Sequence, residues 1–410
     1  MQQTVERTRR PYEVVVYGAT GFTGRLVAEY LNERYHDLAW AIAGRDRGRL
    51  EALRRDLDAP DLPILTADSG DRAALESLVR QARVVCTTVG PYARYGSELV
   101  AACAANGTDY CDLAGEVPWM RRMIESHEAT AQASGARLVH CCGFDSIPSD
   151  LGVWFVQHEA QRRFGTACSR VRMRVAKLKG AFSGGTYASL LGVVAAARAD
   201  PAVARLLNNP DALVPGAAPG PRPPRERQRV VYDSDFASWR APFVMAGINT
   251  RVVRRTHALL GRPWGDDFRY DEGLLTGDGS GGRWRAVKVA AGLGALMAAA
   301  ATRPGRALLQ HALLPKPGEG PDRAAREKGG FVLLFLGETA GGQSLRAEVR
   351  GQRDPGYGAT SRMLGESAVC LARDEAIAGV PGGFWTPASA LGEALIARLQ
   401  NDAGLTFRIV

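Results

Sequence analysis

The chain has 410 residues, 46% of them hydrophobic, and a formal net charge of +9. That length exceeds one ordinary core and implies two domains of a soluble globular protein. The charge is uneven, −4 over residues 1–150 and +13 over the remainder, so a basic second half can steer an acidic partner, while no recognition motif supports nucleic acid.

The first predicted element is a short apolar strand, Val14 to Tyr17, ending in three glycines spaced three apart: Gly18, Gly21 and Gly24. A helical period follows at Leu26, Val27, Tyr30 and Leu31. Strand, glycine turn and helix in that order make a dinucleotide-binding βα turn, in which main chain approaches a pyrophosphate at a helix N-terminus. Gly18, Thr20, Gly21, Phe22, Thr23 and Gly24 are therefore predicted cofactor contacts. The second strand, 38–43, runs into Gly44-Arg45, where an NAD site usually carries an acid. The Arg45 guanidinium suits a 2′-phosphate, which favours NADP(H) and leaves NAD(H) open. Arg47 and Arg49 read as a solvated helix face.

Alternation continues with a helix over 47–57, a strand over 62–66 closed by Asp68 on the adenine side, and a helix over 72–81. A buried strand over 84–89 runs into Gly90-Pro91-Tyr92. A helix over 98–106 stops at Gly107, a strand covers 108–112, a helix covers 117–134, and a strand covers 138–142. Strands separated by such helices predict an α/β fold with a Rossmann-type parallel sheet over residues 1–150.

The pattern changes after Asp150. Residues 170–175 alternate strictly, with Val171, Met173 and Val175 on one face and three Arg on the other, as in a half-exposed strand. Residues 344–350 alternate likewise, and 331–336 are continuously apolar. These predict a second α+β domain over 151–384 on a mixed or antiparallel sheet. It is interrupted at 208–229 by an insertion with six prolines between Pro210 and Pro224. Residues 289–301 form an apolar run of thirteen, bounded by Arg285 and Lys288 on one side and Arg303 and Arg306 on the other. Spanning a bilayer takes ~20 residues. The run therefore reads as a buried helix, a lid over a hydrophobic groove, or a contact with the membrane surface.

In an open parallel sheet, ligands bind beyond the carboxyl ends of the strands. That places three segments together: 18–24, 87–96 and 143–150. Backbone at Val89, Gly90 and Pro91, with Tyr92, is predicted to pass the nicotinamide ribose. Tyr92, Tyr95 and Asp145 are the predicted catalytic groups, donating or orienting a proton when hydride reaches a polarised double bond. The competing readings are that the tyrosines pack over the cofactor and that Asp145 and Ser146 cap the helix starting near Pro148. No Ser-x-x-x-Tyr-x-x-x-Lys arrangement is present. The seven cysteines and six histidines lack metal-ligand spacing, so no metal site is predicted. Reduced thiols and a polar N-terminus without a secretory signal predict a cytoplasmic protein.

Together Tyr17-Gly-Ala-Thr-Gly-Phe-Thr-Gly24, Ala43-Gly-Arg45, Thr87-Thr-Val-Gly-Pro-Tyr92, Gly107-Thr-Asp-Tyr110 and Cys142-Gly-Phe-Asp-Ser-Ile-Pro-Ser-Asp150 closely resemble the saccharopine dehydrogenase-like oxidoreductases. The match is best to their trans-acting enoyl reductase branch. It continues through Ser183-Gly-Gly-Thr186, Asn249 to Thr256, Pro315-Lys-Pro-Gly318 and Trp385-Thr-Pro-Ala388. The resemblance implies an NADPH-type reductant and reduction of a carbon–carbon double bond in an acyl chain carried by a polyketide synthase, a carrier protein or CoA. It further implies that 385–410 forms a C-terminal helix returning to the first domain. Three alternatives stay open: an oxidoreductase acting on another small substrate, a non-catalytic NADP(H)-binding protein, and a lipid-handling protein at the inner face of the plasma membrane, touching it through 289–301. A homodimer is also compatible.

Overall fold

The computed structural model describes residues 9–180, 184–216, 229–309 and 320–410. Ser183, Pro315–Gly318 and the centre of the proline-rich insertion lie outside the described residues. Strand β1 (Tyr12–Tyr17) buries Val14, Val15 and Val16 in succession, as a strand covered on both faces must. It sits inside a sheet with β2 (Trp40–Gly44), β3 (Ile64–Thr66), β4 (Ala82–Thr87), β5 (Asp109–Cys111), β6 (Arg137–Val139) and β13 (Gly383–Trp385). The order is β13-β6-β5-β4-β1-β2-β3, and every pairing is parallel. Chain direction across the sheet reverses between β1 and β4, which makes that seam the place for a ligand.

The second sheet contains β7 (Cys168–Lys179), β8 (Val231–Asp233), β9 (Ser238–Ala241), β10 (Arg269–Leu275), β11 (Gly330–Thr339), β12 (Ser344–Gly351) and β14 (Leu405–Ile409). Its order is β14-β12-β11-β7-β10-β9-β8, with β7 and β10 parallel and the other pairs antiparallel. The helix Ile147–Phe164 starts at the first sheet and lies along β7, β11 and β12 of the second.

Three expectations are corrected. The arginine face of β7 is not solvated: Arg172 and Arg174 are buried. Arg174 pairs with Asp233 and Asp271, both at 2.6 Å, and Arg172 with Glu338 at 2.7 Å and with Asp235. Alternation revealed two faces but not the acidic partners that cover the second, which come from β8, β10, β11 and the turn after β8. The run 289–301 is not a buried helix. It belongs to the helix Gly279–Ala300, of which only Gly282, Ala286 and Ala300 are buried.

The third correction concerns the C-terminal part. The helix Thr360–Arg373 already lies on the first sheet, packed against β1, β4, β5 and the helix Phe22–Arg34. The return thus begins some 25 residues before residue 385. After β13 joins the first sheet, the helix Gly392–Asn401 leads back to β14 at the edge of the second. The last segment serves both domains, because a parallel edge strand and an antiparallel edge strand were each open to it.

Candidate active site

A cavity of about 1510 Å³ opens over the β1–β4 seam, between the two sheets. One drug-sized ligand takes roughly 300–1,000 Å³, so a dinucleotide and a second ligand fit together. The glycine turn forms one wall. Gly18 has φ +86°, and a Cβ there would lie 2.5 Å from the Val89 side chain. A Cβ on Gly24 would lie 2.2 Å from the Gly18 carbonyl oxygen, so the helix closes onto the turn only because that position is bare. The helix Phe22–Arg34 starts at Gly21 with no side-chain cap, leaving its first N–H groups for an anion. Thr20, Gly21, Phe22 and Thr23 line the cavity. The Phe22 ring packs edge-on against Tyr357, which also lines the cavity, with centroids 4.7 Å apart.

Arg45 stands exposed on the rim, and its guanidinium has no protein partner among the described residues. Neighbouring Asp46 does not oppose it: its carboxylate accepts from Arg49 N and caps the next helix. Arg47 pairs with Glu51 on the solvated face, as predicted. The turn therefore fits a pyrophosphate and Arg45 fits a 2′-phosphate. Asp68 accepts from Gly70 N at 2.9 Å within its turn, and adjacent Ser69 is the residue that lines the cavity.

β4 ends at Thr87, two residues earlier than expected, so the chain from Thr88 turns out of the sheet; Thr88, Val89 and Gly90 reach the cavity, and Pro91, a predicted contact, does not line it. Thr88 Oγ1 donates to the Gly18 carbonyl at 3.2 Å, and Val89 and Gly90 line the cavity. The Gly90–Pro91 peptide is cis.

The three predicted catalytic groups have different surroundings. Tyr92 is buried; its hydroxyl donates to Thr87 O at 3.3 Å and accepts from Leu113 N at 3.1 Å. Burial holds its phenol well above the usual range. Tyr92 thus ties strand ends together, held between Thr87 and Leu113. Tyr95 lines the cavity beneath Arg94, whose guanidinium lies 5.0 Å from its ring. Asp145 is half-buried in the cavity wall, and its carboxyl has no partner among the described residues. Burial raises its pKa to about 6. It does not cap the following helix, whose start has no side-chain cap.

Sequence reasoning missed two parts of the site. Glu116, buried, accepts from Tyr92 N at 2.8 Å, Ala93 N at 2.9 Å and Ser189 Oγ at 2.8 Å. It lies before the helix Val117–Ser134 with nothing in its spacing to mark it. The other missed part is the roof. The helices Gly184–Ala199 and Gly279–Ala300 pack on each other around Leu191, Ala300 and Leu309, a cluster separate from the main core. Leu190, Val193, Leu293 and Met297 of this pair line the cavity. The apolar composition of 289–301 was the available signal, and of its three readings the lid fits this placement. Among the described residues there is no cluster of metal-ligating side chains, and no helix is long and apolar enough to cross a membrane. All seven cysteines are buried free thiols.

A parallel sheet with a glycine turn at its seam, an unpaired arginine beside it and a roofed cavity against a second sheet define a two-domain dinucleotide-dependent oxidoreductase. Residues 14–139 match the family model described as the saccharopine dehydrogenase NADP binding domain. A Mycobacterium tuberculosis protein named as a candidate trans-acting enoyl reductase is 44% identical over 403 residues, covering 96% of each chain. The trans-acting enoyl reductase of Mycobacterium ulcerans is 38% identical over 408 residues, again covering 96% of each. The solved apo saccharopine dehydrogenase (L-Glu forming) from Saccharomyces cerevisiae superposes with a TM-score of 0.53 over 97% of this chain and 99% of that one; at 14% identity the likeness is one of fold. The chain belongs to the trans-acting enoyl reductase group of the NADP-binding, saccharopine dehydrogenase-like oxidoreductases.

Proposed function

We propose that this protein reduces the carbon–carbon double bond of an acyl thioester, borne by a carrier protein, a polyketide synthase or CoA, in lipid biosynthesis. The supporting observation is the roofed cavity: its far side is walled by Leu190, Val193, Leu293 and Met297, which suit a hydrocarbon chain. The turn at Gly18–Gly24 would hold the pyrophosphate and Arg45 the 2′-phosphate, with Val89 and Gly90 on the nicotinamide side. When bound, NADPH supplies a hydride to the β-carbon. Asp145 and Tyr95 are the predicted catalytic groups left facing that space with no hydrogen-bond partner among the described residues, whereas Tyr92 positions the loop. The test is NADPH oxidation with a trans-2-dodecenoyl pantetheine thioester, with a saturated product expected. Tight NADPH binding without turnover on enoyl thioesters would leave a non-catalytic NADP(H)-binding protein.

A contact with an anionic membrane surface is favoured by the outer side of the roof. Trp284 is 60% exposed and Leu308 60%. Residues 279–309 contain Arg283, Arg285, Lys288, Arg303 and Arg306 and no acidic residue. An apolar strip between basic ends suits the headgroup boundary. Flotation with vesicles containing anionic lipid should carry the protein, and neutral vesicles should not. A concentration-dependent dimer that shields Trp284 would place a second copy of the chain on this face instead.

A further inference from the structure

On β10, residues two apart share a face. Tyr270 and Glu272 therefore project together into the cavity wall, whereas Asp271 is engaged by Arg174 at 2.6 Å and Arg240 at 2.8 Å. Tyr270 Oη donates to Glu272 Oε1 at 2.7 Å, and Asn249 Nδ2 donates to Glu272 Oε2 at 3.1 Å. Asn249 also accepts from Ser146 Oγ at 3.1 Å and donates to Ser149 Oγ at 3.2 Å. The chain of hydrogen bonds thus ends one residue from Asp145, on the loop at the first sheet's edge.

Glu272 is only 3% exposed and has no cation within ion-pair distance among the described residues. Arg269 on β10 is exposed, Lys177 and Lys179 lie towards the far end of β7, and the other charged groups on the elements around Glu272 are committed elsewhere. Arg172 and Arg174 on β7 pair with Glu338, Asp235, Asp233 and Asp271. Arg240 on β9 pairs with Asp271, and Arg254 on the helix Ala246–Leu259 with Asp211. Arg251 and Arg255 on that helix donate to main-chain carbonyls. Asp150 on the helix Ile147–Phe164 is held by Thr256 and Ala388 N. A buried carboxyl without a countercharge keeps its proton, and burial raises Glu272 to about 7. Such a pair, half-open to the cavity through Tyr270, is more than the seam between two domains requires.

We propose that Tyr270 donates the proton that completes the reduction and that Glu272 replenishes it. This rests on the enoyl-thioester reading. As hydride reaches the β-carbon, the π pair of the double bond moves onto the α-carbon and the thioester carbonyl. The Tyr270 O–H bond breaks and a C–H bond forms at the α-carbon. With Glu272 protonated, the 2.7 Å Tyr270–Glu272 hydrogen bond runs the other way, the carboxyl donating to Oη and freeing the phenol O–H for the substrate; as the phenolate forms, Glu272 passes its proton across this bond and becomes a carboxylate. That carboxylate takes a proton back from water between turnovers. Tyr270 is the catalytic residue, and Glu272 acts through it.

The experiment uses the full chain with NADPH and trans-2-dodecenoyl pantetheine thioester, comparing wild type with Y270F, E272Q, Y95F and D145N over pH 5–9. General acid catalysis contributes roughly 10²–10⁴-fold, so kcat of Y270F should fall by at least about a hundredfold with NADPH affinity unchanged. In the wild type, kcat should fall as pH rises through the Glu272 titration, and E272Q should lose that limb. Y95F and D145N should retain it. Thermal melts and NADPH titrations identify any variant that fails to fold, in which case the wild-type limb and Y270F carry the test. Wild-type kcat with an unchanged limb in both Y270F and E272Q, or loss of the limb in D145N alone, overturns the assignment. If the wild type transfers no deuteride from labelled NADPH to the β-carbon, the failure lies instead with the enoyl reading.

Discussion

On the nucleotide side of the cavity the available atoms are main chain: N–H groups at Phe22 and Thr23 and the loop at Val89–Gly90. On the opposite side they are side chains drawn from far apart in sequence: Ser146, Asn249, Tyr270 and Glu272, beneath a roof from 184–199 and 279–300. A main-chain site demands particular residues at fixed spacing, because only glycine allows the close approach. A side-chain network demands only that complementary groups meet after folding. The first wall tolerates little change. The second tolerates change that keeps volume and hydrogen bonding.

Substitution of Gly24 strikes the first wall hardest. Its new Cβ would meet backbone, 2.2 Å from Gly18 O, where nothing can yield. Overpacking costs roughly 1–3 kcal/mol, and here at least the upper figure applies, so G24A should weaken NADPH binding by more than about a hundredfold. Fluorescence titration measures this, and near-native affinity would show that the turn has slack. R45E tests the same wall through charge. A charged hydrogen bond is worth roughly 1.5–3 kcal/mol, so NADPH should weaken by about tenfold or more while NADH changes little. Equal weakening of both would detach Arg45 from the 2′-phosphate.

The second wall can be read through pH. Glu272 titrates at about 7 in the folded chain, against a reference of 4.5. Between those values the native state holds a proton that the unfolded chain has released. Stability therefore falls as pH rises through this window, by at most about 1.4 kcal/mol per unit for one such group. Asp145 and Asp150, both near 6, add the same sign of slope below pH 6. E272Q should therefore differ from wild type most clearly between pH 6 and 7, where its melting temperature should hold while that of wild type drops. Parallel curves would mean that Glu272 is solvated. The roof gives the smallest step. Each buried methylene is worth ~0.8 kcal/mol, so kcat/KM should rise about fourfold per carbon until the cavity is full. M297W should move that limit to shorter chains.

The same contrast explains what was legible. Glycine spacing, Arg45, the strand ends and the crossover helices followed from the sequence, since repeated physical constraints leave periodic traces. The helices 72–81 and 117–134 fall where predicted. The limits of β4 did not: Thr88 N still donates to Tyr17 O of β1 at 3.1 Å, but its hydroxyl turns to the Gly18 carbonyl and the pairing stops there. The buried face of β7 was misread, since Arg172 and Arg174 look solvated until Asp233, Asp271 and Glu338 arrive from other strands. Glu272 carried no pattern at all: in Arg269-Tyr-Asp-Glu-Gly273 the hydrophobic alternation that marks a strand is missing.

Glu116 joins the two walls unequally. Two main-chain N–H groups fasten it to the loop at Tyr92, and one serine hydroxyl fastens it to the roof. A hydrogen bond to a charged group is worth roughly 1.5–3 kcal/mol. The roof can let go of its hydroxyl and the carboxylate is still satisfied by the other two donors. It works as a latch whose frame is screwed down and whose door rests on a single catch: the acyl chain can come and go while the loop beside the reductant stays still.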